Sequence, residues 1–216
     1  MTKNLGTYKG SAILSRTSKM PGYSISTPAA DCKTGSKLAQ VPGSVCHGCY
    51  ALKGSYRYPA VKEAMAKRQE FMTTPKWVEL MVESINRTRS PYFRWFDSGD
   101  LQSVKQGHQI LEVCELTPGK FHWIPTRETK LWKTVLLQRR TWLPSNVVIR
   151  ASSTMVNDGP LKSFYNTSTV HDKHYQGPAL GHICPASQQD GKCGDCRACW
   201  NPEVTNVSYP KHWLVP

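Results

Sequence analysis

The chain has 216 residues, enough for one domain with its own core and too few for two large ones. Its 28 Lys and Arg against 15 Asp and Glu leave a net charge of +13 that comes chiefly from scarce acid, so charge alone is a weak nucleic-acid signal. A 39% hydrophobic and 10% aromatic content excludes a generally disordered chain. No apolar run nears the roughly 18 residues that cross a bilayer, and residues 1–20 lack the apolar centre of a signal peptide. The expectation is a soluble cytoplasmic protein with no membrane partner.

In chain order, residues 1–58 are rich in Gly, Ser, Thr, Lys and Pro with no sustained period, which predicts irregular structure held by something other than a continuous apolar face. Pro59 opens a helical pattern that runs to Met72. Thr74 and Pro75 predict the cap and first position of another helix, with Trp77, Val78, Met81, Val82 and Ile85 as its apolar stripe. Strand, helix, strand, helix, strand then follow: Tyr92 to Asp97, Ser103 to Glu115, Lys120 to Pro125, Glu128 to Arg140 and Asn146 to Ala151. Short turns between them predict parallel crossover units. The expected fold is therefore α/β, a single domain with an irregular N-terminal segment (1–58), an α/β body (59–170) and a C-terminal loop and tail (171–216).

Ligands of such sheets bind beyond the carboxyl ends of the strands. Those ends carry Asp97, Ser98, Gly99 and Asp100; then Thr126, Arg127 and Glu128; then Ser152, Ser153 and Thr154. This polar rim could take a small molecule with amine, carboxylate or phosphate groups. The bland alternative is that Asp100 caps the next helix and Ser152 to Thr154 only turn the chain.

Eight cysteines in a chain expected in a reducing compartment point to metal before disulfides. Cys184-Pro185 precedes Cys193-Gly-Asp-Cys196-Arg-Ala-Cys199, three cysteines at successive two-residue gaps. One short loop can place such thiolates on three corners of a [4Fe-4S] cluster, with Cys184 as the fourth ligand; bacterial ferredoxins use the same ingredients with the Cys-Pro placed after the triple. Lys192 and Arg197 offer charge compensation. Zinc bound by four cysteines is the competing metal. Upstream, Cys32 stands thirteen residues before Cys46-His47-Gly48-Cys49. That trio suggests a second cluster with one open iron, or a site completed by another residue; His47 and Cys114 are the candidates, with Cys114 on an apolar helix face better read as core. The two cysteine groups could also meet and share ligands. His108, His122, His171, His174, His182 and His212 form no motif, and His171 with His174 reads as solvated surface.

Cys46-x2-Cys49-Tyr50-Ala51, Phe93-Arg-Trp-Phe-Asp-Ser-Gly-Asp100, Thr126-Arg127 and Gly191-Lys-Cys-Gly-Asp-Cys-Arg-Ala-Cys199 together resemble the bacteriophage gene product 88 family, over about Ser24 to Cys199. That resemblance implies viral origin, hence the cytoplasm of a host cell, and a cysteine-bound cluster. A more distant likeness is to radical S-adenosylmethionine enzymes, which implies a partial or distorted (β/α) barrel. In that likeness Cys32, Cys46 and Cys49 are the cluster trio, Ser98-Gly99-Asp100 the turn holding the cofactor amine, and the C-terminal four cysteines an auxiliary cluster. The thirteen-residue first gap departs from the C-x3-C-x2-C of those enzymes.

Two functions of different class follow. One is an iron-sulfur protein with one [4Fe-4S] cluster or two, redox or radical in character if it is an enzyme, with S-adenosylmethionine or another small molecule held at Ser98, Gly99, Asp100 and Arg127. The other is a zinc-stabilised protein that binds nucleic acid or a host partner, suggested by the positive charge and by aromatics expected at the surface, such as Tyr56, Tyr58 and Trp200, near basic residues. Hydrolysis has no support: no Gly-x-Ser-x-Gly elbow, phosphate-cradling loop or His-Glu-x-x-His helix is present.

Overall fold

A computed structural model describes residues 5–177 and 180–211; His212 and the end of the tail lie outside the described residues. Two short strands, β1 (Thr7–Tyr8) and β2 (Ser11–Ala12), pair with each other. The main sheet has eight strands. It starts with β3 (Ser15–Arg16) and β4 (Tyr23–Ile25), then β5 (Tyr92–Trp95), β6 (Phe121–Thr126) and β7 (Val147–Ser152). It is completed by β8 (Thr167–His171), β9 (His182–Ile183) and β10 (Asn206–Pro210). The order across the sheet is β3-β4-β5-β6-β7-β8-β10-β9, and every pairing except β3 with β4 is parallel.

The helices are α1 (Lys33–Leu38), α2 (Pro59–Phe71), α3 (Trp77–Asn86), α4 (Val104–Glu115) and α5 (Thr129–Gln138). Strands that follow one another in both chain and space, joined by crossovers of one hand, put all their helices on one side. So it is here: Phe71 of α2, Trp77, Met81 and Ile85 of α3, Ile110 and Leu111 of α4 and Trp132 of α5 share one core with Ile25, Phe93, Trp95, Ile124 and Ile149 of the strands. Cys114 lies in this core, fully buried. The fold is mixed α/β with a mostly parallel sheet, edged by β3 and β9.

Among the described residues the other face of the sheet carries no α-helix, only two 3-10 turns, Pro185–Gln188 and Ala198–Trp200. Alternation along the strands aims Tyr92, Arg94, Trp123, Arg150, Val207 and Tyr209 that way, and residues 184–204 lie over them. Trp200, expected at the surface, is buried there: its indole donates to the Phe93 carbonyl at 2.9 Å and packs on Tyr92 and Trp123. Arg150, fully buried, donates to the carbonyls of Cys199, Thr167, Val204, Thr205, Ala198 and Asn201. The Cys193 amide reaches the opposite edge, donating to Lys19 in the β3–β4 hairpin at 2.9 Å.

Several boundaries differ from the sequence expectation. β5 ends at Trp95 because Phe96 takes a φ of 53° and turns the chain early. Helix α4 is capped by Ser103, whose hydroxyl accepts from the Gln106 amide, not by Asp100. Thr74 donates its hydroxyl back to Phe71 and α3 begins only at Trp77. Residues 1–58 are not wholly irregular, since β3 and β4 extend the main sheet. His171 is not free surface: it belongs to β8 and its Nδ1 lies 2.6 Å from Ser208 Oγ.

Two outcomes test this architecture. Replacing Arg150 with Met strands several buried carbonyls without donors, and should lower the free energy of urea unfolding by about 3 kcal/mol while opening residues 184–204 to proteolysis. His122 is buried between the Trp95 indole, which donates to Nδ1, and Thr117. Burial depresses its pKa to about 3, so the unfolded chain takes up a proton below about pH 6.5 that the folded chain refuses. Stability should therefore fall on acidification by about 1.4 kcal/mol per pH unit from this group, and a His122→Gln variant should lose that slope between pH 6 and 4.

Candidate metal centres

The C-terminal group is built by the loop that covers the helix-free face. The Cys184 amide is anchored to the Ser208 carbonyl of β10 at 2.8 Å, and the Ala186 amide points at the Cys184 thiol. Gly191 and Gly194, with φ of 72° and 52°, let the chain double back so that the Cys196 amide bonds the Cys193 carbonyl at 3.0 Å. Arg197 braces this turn by donating to the Gly194 and Cys196 carbonyls and lies over the Tyr92 ring. The thiols of Cys184, Cys193 and Cys196 feel one another's charge, and Cys199 feels Cys184. The four thiols thus lie within reach of one another's charge, on one loop.

Two partners invisible in the spacing complete the group. Tyr209 Oη lies 3.2 Å from Cys199 Sγ, and His182 Nε2 lies 3.3 Å from Cys196 Sγ. Burial raises the Tyr209 hydroxyl well above its usual pKa, so it is the donor toward a thiolate. Burial pushes Cys199 up to about 12, with Tyr209 and Arg150 pulling the other way. Cys184 and Cys193 are raised for the same reason. Burial thus favours the protonated form of Cys184, Cys193 and Cys199, and a bound cation is what would ionise them.

The N-terminal group gathers at the carboxyl ends of the strands. Cys32 precedes α1, and Glu128, at the end of β6, accepts from the Thr34 amide at 2.6 Å and its hydroxyl at 2.8 Å, fixing α1 to the sheet. Cys32 feels the charges of Asp100, Cys49, Cys46 and Glu128. Arg127, whose guanidinium also donates to the Ser153 carbonyl, reaches the Cys46 thiol. Burial raises Cys32 and Cys46, and Arg127 opposes that rise at Cys46. Gly35 leaves the interior of the trio open: a Cβ there would stand 3.7 Å from the sulfurs of both Cys32 and Cys46. His47 faces away, its Nδ1 lying 3.1 Å from the Ala39 carbonyl. The two cysteine groups do not merge into one.

The turn after β5 is spent on the protein itself. The Ser98 hydroxyl donates to Thr27 O at 2.9 Å, and Gly99 has a φ of 82° where any Cβ would sit 1.9 Å from Thr27 Oγ1. Asp100 accepts from the Leu101 amide, the Thr126 hydroxyl and the Arg127 amide, each within 2.8 Å. Burial lifts its pKa to about 6 against those donors. Of the four residues expected at a small-molecule site, the structure carries two to the cysteines: Arg127 reaches the Cys46 thiol, and Asp100 acts on Cys32 and Cys46 by its charge. Glu128, expected in the polar rim at the end of the second strand, also stands beside Cys32, whereas Arg94 is a further site residue that the spacing did not single out, though an arginine between aromatics on a strand was a visible signal.

Among the described residues no three Cys, His, Asp or Glu side chains are drawn in closely enough to hold one ion, and all eight cysteines are free. No helix among them is long and apolar enough to cross a membrane.

Fold and site define an α/β protein with a one-sided helical layer and two separate thiol groups, one at the strand ends and one on the open face. A family model described as Gene product 88 matches residues 2–202, and the chain belongs to that family. No curated protein and no solved structure matches it, and none of these comparisons supports the likeness to radical S-adenosylmethionine enzymes.

Gly35→Ala tests whether the trio encloses a metal. Alanine favours the helix by about 1 kcal/mol but sets its Cβ 3.0 Å from Cys32 Cβ, so melting should stay near wild type, while anaerobic metal uptake at Cys32, Cys46 and Cys49 should fall severalfold. Unchanged uptake would show that nothing is bound on the Gly35 side.

Proposed function

We propose that the protein is an iron-sulfur protein, with a [4Fe-4S] cluster held by Cys184, Cys193, Cys196 and Cys199. The observation that carries this reading is the gathering of one buried and three half-buried thiols beside Tyr209, His182 and the buried Arg150, where ionised sulfurs would repel one another without a cation to organise them. The donor set fits: thiolates ligate iron-sulfur clusters, and the Tyr209 hydroxyl and Ala186 amide supply the hydrogen bonds to sulfur that set such a cluster's potential. A cluster there supplies one-electron redox chemistry.

Cys32, Cys46 and Cys49 hold a second centre in this reading. Three thiols leave one position for a small molecule, and Arg127 beside Cys46 would orient an anionic group on it. S-adenosylmethionine is the ligand the radical-enzyme likeness suggests. Its amine would have to compete with the donors that already occupy Asp100.

Anaerobic purification with iron and sulfide analysis and Mössbauer spectroscopy tests the proposal. About four irons and four sulfides per centre are expected. A colourless protein with stoichiometric zinc would overturn it in favour of a zinc-stabilised scaffold, whose nucleic-acid binding would weaken steeply with salt. If the N-terminal centre takes S-adenosylmethionine, the cofactor should perturb the magnetic resonance spectrum of the reduced protein, and substituting Arg127 should weaken that perturbation.

A further inference from the structure

We propose that Arg94 is the counter-cation of the C-terminal four-cysteine centre, a half-buried positioning residue that keeps the centre's negative charge stable against the sheet. The inference rests on the metal reading above. Arg94 sits in β5 on the helix-free face, where its neighbours Tyr92 and Trp123 are aromatic and nothing in an apolar surface calls for a guanidinium. Its Cζ lies 4.5 Å from the Trp123 ring centroid, and its Nη1 reaches Met20 Sδ at 3.7 Å. Its Nε is sealed from solvent with no hydrogen-bond partner. Among the described residues no carboxylate makes an ion pair with it.

A guanidinium with a buried donor to spare is costly unless negative charge arrives to meet it. The other two arginines of this region are already engaged. Arg150 is bonded to carbonyls of the covering loop and Arg197 to the carbonyls of its own turn. Arg94 instead lies over Trp123, which shares with Cys199 the cluster against which Cys184, Cys196 and Tyr209 pack, and its charge reaches Cys193, Cys199, Tyr209 and Tyr50. Asp97, the nearby acid, already accepts from Ser24 and Tyr56. Four thiolates around a zinc ion or a four-iron cluster carry a formal charge of about −2. That charge is the complement Arg94 lacks. Tyr50 follows Cys49 in the chain, so the same guanidinium also links the two cysteine groups electrostatically.

The test uses the full chain, loaded anaerobically with iron and sulfide or with zinc, as wild type and as Arg94→Met, Arg94→Gln and Arg94→Lys, with the fold checked by circular dichroism. Met and Gln remove the charge, so at least tenfold less chelator should strip half the metal from the C-terminal centre. In the iron form the potential should drop by about 60 mV or more, the tenfold change of a one-electron equilibrium. Lys should stay within threefold of wild type on both measures. If Met prevents folding, Gln decides by the same readings. Wild-type retention and potential in the neutral variants would overturn the proposal, as would a Lys variant as weak as Met, because the role would then be shape and not charge. A wild-type chain that takes up no metal at these cysteines would instead sink the metal reading itself.

Discussion

A sheet with helices on only one side must have its other side covered, and in this protein the covering is done by a loop that has little regular structure of its own. Arg150 makes that feasible. Its guanidinium satisfies carbonyls that the loop would otherwise bury without donors, a cost of one to three kcal/mol for each group of that kind. Trp200 adds the apolar half of the contact, slotted against Trp123 and Tyr92. The C-terminal cysteines owe their placement to this docking: the residues that fix the loop to the sheet also carry the thiols to Tyr209 and Arg94.

The two thiol groups differ in how the fold treats them. The C-terminal one lies on the open face, backed by aromatic rings and arginines. The N-terminal one lies where strands end and connecting segments begin, beside Arg127, Asp100 and Glu128, the place where α/β sheets present groups to ligands. Burial raises thiols in both groups, so metal loading and proton release are coupled in each. The charge of Arg94 reaches Cys193 and Cys199 of one group and Tyr50, the neighbour of Cys49, in the other.

Three-to-four spacing and alternation placed α2, α4, α5 and β5 to β7 to within a few residues, because these elements bury one apolar face against the helical core. Strands β8 and β10 gave no such signal. They are joined by polar side chains, Thr167 to Asn206 and Asn206 to Thr169, with Ser152 meeting Ser168 across the neighbouring pair. Alternation of apolar and polar residues reports a strand only where one face is apolar. Asp100 was legible as a strand-end acid, but that its oxygens would be taken up by Thr126 and Arg127 depended on the next strand's register.

The chain's own order of residues determined the α/β class, the cysteine clusters and the polar strand ends, since each is a local pattern of period or spacing. Only the tertiary structure decided that Trp200 is buried, that Tyr209 and His182 approach Cys199 and Cys196, and that Arg94 is enclosed with a donor unspent. Those pairings join residues far apart along the chain, brought together by the return of β10 beside β8, and no local pattern encodes that return.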